Sequence, residues 1–190
     1  MSEDNGFDTL NINENILRGV YSYGFEKPST IQKKAIPSII EGKDIIAQAQ
    51  SGTGKTGAFV IGSLCNIDKE LNETQLLILL PTHELVNQVM TVITEISSYV
   101  ELNIIKVIGG TSISQSIDEL NRRPHVIIGT PGRVLDMINR NHLITQFLKM
   151  LILDEADEIL SYGFKDNIYN IIQSIPKESQ ICLFSATLPG

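Results

Sequence analysis

The stretch Asp44-Ile45-Ile46-Ala47-Gln48-Ala49-Gln50-Ser51-Gly52-Thr53-Gly54-Lys55-Thr56 decides the fold. It reads as a short apolar strand, a glycine-bearing loop and a helix start. That order builds a cradle for phosphate. The loop turns backbone N–H groups inward, and the helix adds its unpaired N–H groups and positive dipole end. Gly52 and Gly54 allow positive φ and leave an anion room against the backbone. Lys55 can reach terminal phosphates, and the Thr56 hydroxyl can ligate magnesium. The usual pattern opens with Gly, whereas this chain has Ala49 there. The plainer alternative is a strand-to-helix turn rich in small residues.

Working outward, the chain alternates. Apolar runs predict strands at 45–48, 76–80, 104–108, 126–128, 150–153 and 181–185. Between them, helices are expected over 55–66, 84–99, 112–121 and 133–139, with two more near 156–160 and 164–175. Upstream, Asn13 is a candidate N-cap for a helix from Glu14 to about Tyr21, ended by Gly24. A second helix should start at Pro28-Ser29-Thr30 and be divided by Pro37. The strands are continuous apolar runs, the mark of a parallel sheet covered on both faces. The fold class is therefore α/β, a doubly wound parallel sheet flanked by helices. Residues 1–6 are small, polar and acidic and read as a mobile tail. Residues 7–190 read as one domain.

Composition narrows the function. The formal charge of −7 argues against a broad electrostatic grip on nucleic acid, though not against a local track of loops and helix N-termini. Cys65 and Cys182 lie in apolar runs without metal-like spacing, which fits buried thiols and a reducing compartment. No apolar run reaches membrane-spanning length, and the N-terminus lacks signal-peptide form. The expected location is cytoplasmic, with the nucleus as the alternative.

Ligands of such sheets bind beyond the strands' carboxyl ends, and the polar motifs lie there. Asp154 follows an apolar strand and can hold magnesium opposite Thr56. Glu155 is then placed to orient or deprotonate a water attacking a γ-phosphate. The local alternative makes Asp154 a helix N-cap with Asp157 as first-turn charge. Ser185-Ala186-Thr187 closes the last strand, and its two hydroxyls can hydrogen-bond Asp157. Gln32 has the donor and acceptor to pair with adenine, and Phe7 or Phe25 can pack on the base, although a helix-surface Gln is the plainer reading. Pro81-Thr82-His83-Glu84-Leu85, Gly109-Gly110 and Thr130-Pro131-Gly132-Arg133 each follow a strand and open a helix. Side by side they make a track for the phosphates of a strand, with Arg133 the best single backbone contact.

Taken in order, these motifs resemble those of the DEAD-box RNA helicases, over nearly the whole chain. The matching segments are 24–32, 49–56, 81–85, 109–110, 130–133, 154–157 and 185–187. The wording around the motifs is most like the translation-initiation branch. The resemblance implies a RecA-like P-loop domain that takes ATP and Mg²⁺ and binds RNA. Phe7, Phe25 and Gln32 would recognise adenine. Ser51, Gly52, Thr53, Gly54, Lys55 and Thr56 would hold phosphates and magnesium, with Lys55, Asp154 and Glu155 as the catalytic set and Thr56 and Asp154 serving the metal. Thr82, Gly110, Thr130 and Arg133 would touch the RNA backbone. Asp157, Ser185 and Thr187 would couple nucleotide state to closure of a second helicase domain. Ala49 is common in this family.

Two departures stand out. The family usually has Arg where this chain has His83, and Ala where it has Val86. A neutral, shorter His predicts weaker RNA binding. The second helicase domain, which supplies arginine fingers, is absent from this chain, and only five arginines are present. Loss of such a finger costs roughly 10³–10⁵ in turnover. The isolated chain is therefore expected to hydrolyse ATP barely. Rival readings are a small-molecule kinase, which should carry an arginine-rich lid, and a nucleotide-switched scaffold that binds a helical-repeat partner.

Overall fold

The structure, a computed structural model, describes residues 6–188. Residues 1–5 of the expected tail and 189–190 of the expected domain lie outside it. Gly6, also assigned to the tail, is held by the next turn, its carbonyl accepting from the Thr9 N–H and hydroxyl.

Six strands form one sheet: β1 (Ile45–Gln48), β2 (Leu76–Leu79), β3 (Ile104–Val107), β4 (Val126–Gly129), β5 (Met150–Leu153) and β6 (Gln180–Ser185). Their order is β1-β6-β5-β2-β4-β3, and every pairing is parallel. Each connection must therefore cross a face, and the helices do the crossing. Whereas α1 (Glu14–Tyr23) and α2 (Thr30–Ile40) precede β1, the crossing helices are α3 (Lys55–Leu64), α4 (His83–Ile96), α5 (Ile113–Asn121), α6 (Pro131–Asn139), α7 (Ala156–Ser161) and α8 (Lys165–Ser174).

The period-2 geometry of strands splits the apolar runs between two cores. On β2, Leu76 and Ile78, with Leu80 just past its end, face one core, with α1 to α4. Leu77 and Leu79 face the other, with α5, α6 and α8. β2, β4 and β5 are buried along their whole length, which is why they carry no polar alternation. β1 lies at the sheet edge, and Ile46 is 72% exposed there.

Local signals set the helix ends. The Asn13 side chain accepts from Ile16 N, and Gly24 closes α1 at φ 109°. α2 differs from expectation, because Pro37 lies inside an unbroken helix. Proline removes one helical N–H, but Ala35, Ile36 and Ile39 are buried on either side of it and keep the helix seated. Downstream, Glu41 N still donates to Pro37 O.

Candidate functional site

The loop after β1 and the start of α3 sit at the carboxyl edge of the sheet, beside the end of β5. Gly54 precedes α3 at φ 89°. A Cβ there would lie 2.6 Å from Ser29 Oγ and 2.7 Å from Gln32 Nε2, so only Gly fits both the angle and the space. Lys55 follows as the first helical residue and is buried, which keeps its ammonium inside the site.

Lys55 Nζ lies 2.9 Å from Asp154 Oδ1 and 2.5 Å from Glu155 Oε1. Burial alone would lower the Lys55 pKa, but Asp154 and Glu155 more than offset it and hold the ammonium charged. Burial pushes the Asp154 carboxyl above its ordinary range, and Lys55 counters only part of that push. Asp154 Oδ1 also accepts from Glu155 N at 2.9 Å. Glu155 takes the left-handed conformation, φ 53°, directly before α7. A non-glycine residue there carries backbone strain of about 1–3 kcal/mol. Glu155, and not Asp154, occupies the N-cap position of α7, and it makes no side-chain cap. The Asp154 carboxylate is thus directed to Lys55 and to one backbone N–H.

These residues line a cavity of about 270 Å³ together with Ser51, Gly52, Thr56 and, on its apolar side, Phe25 and Leu85. Thr53 sits on the loop outside it and donates to Gln50 O. Asp154 and Thr56 offer hard oxygen donors of the kind magnesium takes alongside phosphate oxygens. Asp154 already faces a cation, the Lys55 ammonium, so the residues fit a cationic neighbour.

Gln32 is buried and spans two backbone groups. Its Oε1 accepts from Ser29 N at 2.9 Å, and its Nε2 donates to Gly54 O at 3.1 Å. It therefore ties the start of α2 to the phosphate loop, a contact that sequence reasoning missed. The capping-box spacing of Ser29 and Gln32 was the available signal for half of it. Phe25 is half-buried and reaches the cavity. Phe7 is fully buried against Phe25, with ring centroids 5.9 Å apart. It backs Phe25 and presents no face of its own.

Asp157 meets the end of β6. Its N–H donates to Ser185 Oγ, and its Oδ2 accepts from Thr187 Oγ1 at 3.0 Å. Its other oxygen, Oδ1, is buried without a hydrogen-bond partner among the described residues. Desolvation raises the Asp157 pKa, but the hydrogen bonds from Thr187 and Ser185 outweigh it and leave the carboxyl below its ordinary range.

Further along the edge, Thr82 caps α4, accepting from Leu85 N. Thr130 precedes α6, with Pro131 at its first position. Gly110 sits at φ 84° beside His83, whose Cε1 would be 3.4 Å from an added Cβ. Arg133 is braced, donating to Thr111 O at 3.1 Å and Ser116 Oγ at 3.2 Å. It joins α6 to the loop before α5. The sheet order thus puts Thr82, Thr130 and Gly110 over β2, β4 and β3, and the phosphate loop and carboxylates over β1, β6 and β5.

A parallel sheet with a phosphate loop after its edge strand and a buried lysine–carboxylate cluster has the arrangement of a P-loop domain. The chain belongs to the DEAD/DEAH box helicase family, whose signature matches residues 29–190. It is 52% identical over 183 residues to an ATP-dependent RNA helicase FAL1 from Mycosarcoma maydis, covering 96% of this chain and 46% of that protein. It is 51% identical over 184 residues to eukaryotic initiation factor 4A from Caenorhabditis elegans, covering 97% and 46%. In structure it matches a DEAD box protein from the hyperthermophile Methanococcus jannaschii with a TM-score of 0.93 and 41% identity, over 97% of this chain and 50% of that one. The chain spans about half the length of the relatives it matches. Among the described residues, no helix is long and apolar enough to cross a membrane.

Proposed function

We propose that this chain is the ATP-binding first domain of an ATP-dependent RNA helicase, spanning residues 7–190. The observation that carries this reading is the Lys55 ammonium bridging Asp154 and Glu155 at the mouth of the phosphate loop. Lys55 leaves the carboxylates for the terminal phosphates, which carry more charge than either side chain. Asp154 and Thr56 then serve Mg²⁺, which, when bound, neutralises phosphate charge. Glu155, released from Lys55, accepts a proton from the attacking water. Ser51 to Thr56 supply the backbone cradle. Gln32 and Phe25 select adenine, with Phe7 behind them.

Thr82, Gly110, Thr130 and Arg133 bind the backbone of RNA. Asp157, Ser185 and Thr187 couple nucleotide state to a second helicase domain. The orphaned Asp157 Oδ1 supports that role, because a buried acceptor without a partner suits an incoming donor. A role in translation initiation, in the cytoplasm, draws its support from the initiation-factor relative.

The test is the ATPase activity of the full-length protein with and without single-stranded RNA. RNA-stimulated turnover that Glu155→Gln abolishes is expected. Unaltered turnover in that variant would remove Glu155 from its role.

A further inference from the structure

The two edges of the sheet are built differently. At one edge, β3 carries exposed Lys106, whose Nζ donates to Asn87 Oδ1 at 3.1 Å. A charge of this kind blunts an edge against further pairing. At the other edge, β1 carries no charge, and its exposed side chains are Ile46 and Gln48. Among the described residues, β1 pairs with β6 alone. Just past β1, Ala49 N donates to Ser185 O, so by strand alternation Ile45 and Ala47 also turn their backbone groups to β6. Ile46 and Gln48 turn theirs outward. Along this edge runs a groove of about 840 Å³ between β1 and α2. Ile31, Ala35, Ile45 and Ala47 line it, and Lys34 is its only charged lining residue among those described.

The crossovers decide which polypeptide reaches this groove. From β1 to β2 and from β2 to β3 the chain moves one way along the sheet, and α3 and α4 cross on the face that holds Ala47. From β3 to β4, β5 and β6 it moves back, and α5, α6 and α8 cross on the opposite face. The hand is the same throughout. A further step in the returning direction, from β6 past β1, therefore lays its helix on that second face. Ile46 points there, because its neighbour Ala47 faces the first. Ile46 is 72% exposed and stands in register with Leu183 of β6, which is itself only half-buried. The chain also leaves β6 beside β1. Ala186 O accepts from Gln48 Nε2 at 3.2 Å and from Gln50 Nε2 at 3.4 Å.

We propose that the outer edge of β1 is the docking site of a seventh parallel strand, supplied by the polypeptide that follows Gly190 in the full-length protein; this rests on the reading above of the chain as a first domain. The chain covers 46% of each of two relatives, so a protein of their length has ample polypeptide for it. The crossover helix covers Ile46 and Leu183. The strand's backbone meets the outward N–H and C=O groups of Ile46 and Gln48. Its side chains on the α2 side enter the groove against Ile31 and Ala35, which calls for an apolar, β-branched segment to match the four residues of β1. A second copy of the chain fits less well, because edge-to-edge pairing supplies a strand but no helix for Ile46. The first domain then runs on past residue 190.

The experiment is NMR on the full-length protein at high and low concentration, reading amide hydrogen exchange at Ile46 and Gln48 and their contacts to other amides. RNA-stimulated ATPase activity is assayed on the same sample. Both amides should exchange about a hundredfold or more slower than open ones, at either concentration, with contacts to residues after 190. Fast exchange at both amides in a protein with RNA-stimulated turnover overturns the docking and leaves the first-domain reading standing. Protection that vanishes on dilution overturns it by assigning the edge to a second copy, and contacts to any other segment overturn it too. Ile46→Lys should lower the urea midpoint of the full-length protein, because the helix would bury the new charge. An unchanged midpoint would mean that Ile46 stays exposed, which also overturns the docking.

Discussion

Lys55 Nζ lies 2.5 Å from Glu155 Oε1, across 100 residues of sequence, and ties the phosphate loop to the turn after β5. A buried charge of this kind must be neutralised by something. In this structure the protein neutralises itself, so any phosphate that enters competes with two carboxylates for one ammonium. Glu155→Gln removes one competitor. Nucleotide should then bind more tightly, by roughly tenfold if one charged hydrogen bond is released. Hydrolysis should fall at the same time. Calorimetric titration of ATP into both proteins checks the pairing of the two effects.

Removing the cation has the opposite consequence for stability. Lys55→Ala leaves Asp154 buried beside Glu155 with no counter-charge. A loss of about 3–5 kcal/mol is expected, read from urea unfolding. Asp154→Asn combined with Lys55→Ala should restore part of it.

Gln32 holds Ser29 N and Gly54 O with one amide. Gln32→Ala therefore acts on both the fold and the ligand. About 1 kcal/mol of stability should be lost with the cap. The proposed adenine-reading role of that amide predicts a narrower preference for ATP over GTP. Parallel titrations with the two nucleotides measure that ratio.

Asp157 sets an acid limit on the link to β6. Its carboxyl titrates below the ordinary 3.8, so its contribution to stability is complete above that value and is lost as pH falls through the folded-state value. Thr187→Val removes the main hydrogen bond. The variant should differ from the unmodified chain at neutral pH, and the two should converge in strong acid. Thermal unfolding across that range would show a constant difference if the bond contributes nothing.

His125 is a structural lock far from the site. Its Nδ1 accepts from Asn103 N at 3.0 Å, and its Nε2 faces Lys69 O at 3.0 Å. Only the tautomer with a proton on Nε2 makes both bonds. His125→Ala should cost about 1–3 kcal/mol and leave nucleotide affinity alone. A matching loss of ATP binding would show that this end of the sheet reaches the site.

The sheet was legible because β2, β4 and β5 are apolar on both faces, and only a parallel sheet covered twice buries such runs. The strand boundaries followed from the same pattern to within a residue or two. Pro37 was misread because local backbone chemistry predicts a break, whereas burial of Ile36 and Ile39 holds the helix together. At the site, the loop, Asp154 and Glu155 were legible from their place after strands. The Lys55 bridge was not, because it joins residues 100 apart. Nor was the burial of Phe7, since an isolated aromatic carries no signal of which face it shows. Arg133 was read as a contact for a strand's backbone, and its bonds to Thr111 O and Ser116 Oγ, which join positions 22 and 17 residues apart, were not legible.

The most direct measurement is calorimetric titration of ATP with Mg²⁺ into the chain and into Lys55→Ala, each confirmed folded by circular dichroism. Saturable binding to the unmodified chain is expected, weakened about tenfold or more in the variant. Equal affinity in the two folded proteins would place the terminal phosphates somewhere other than the Lys55 cluster.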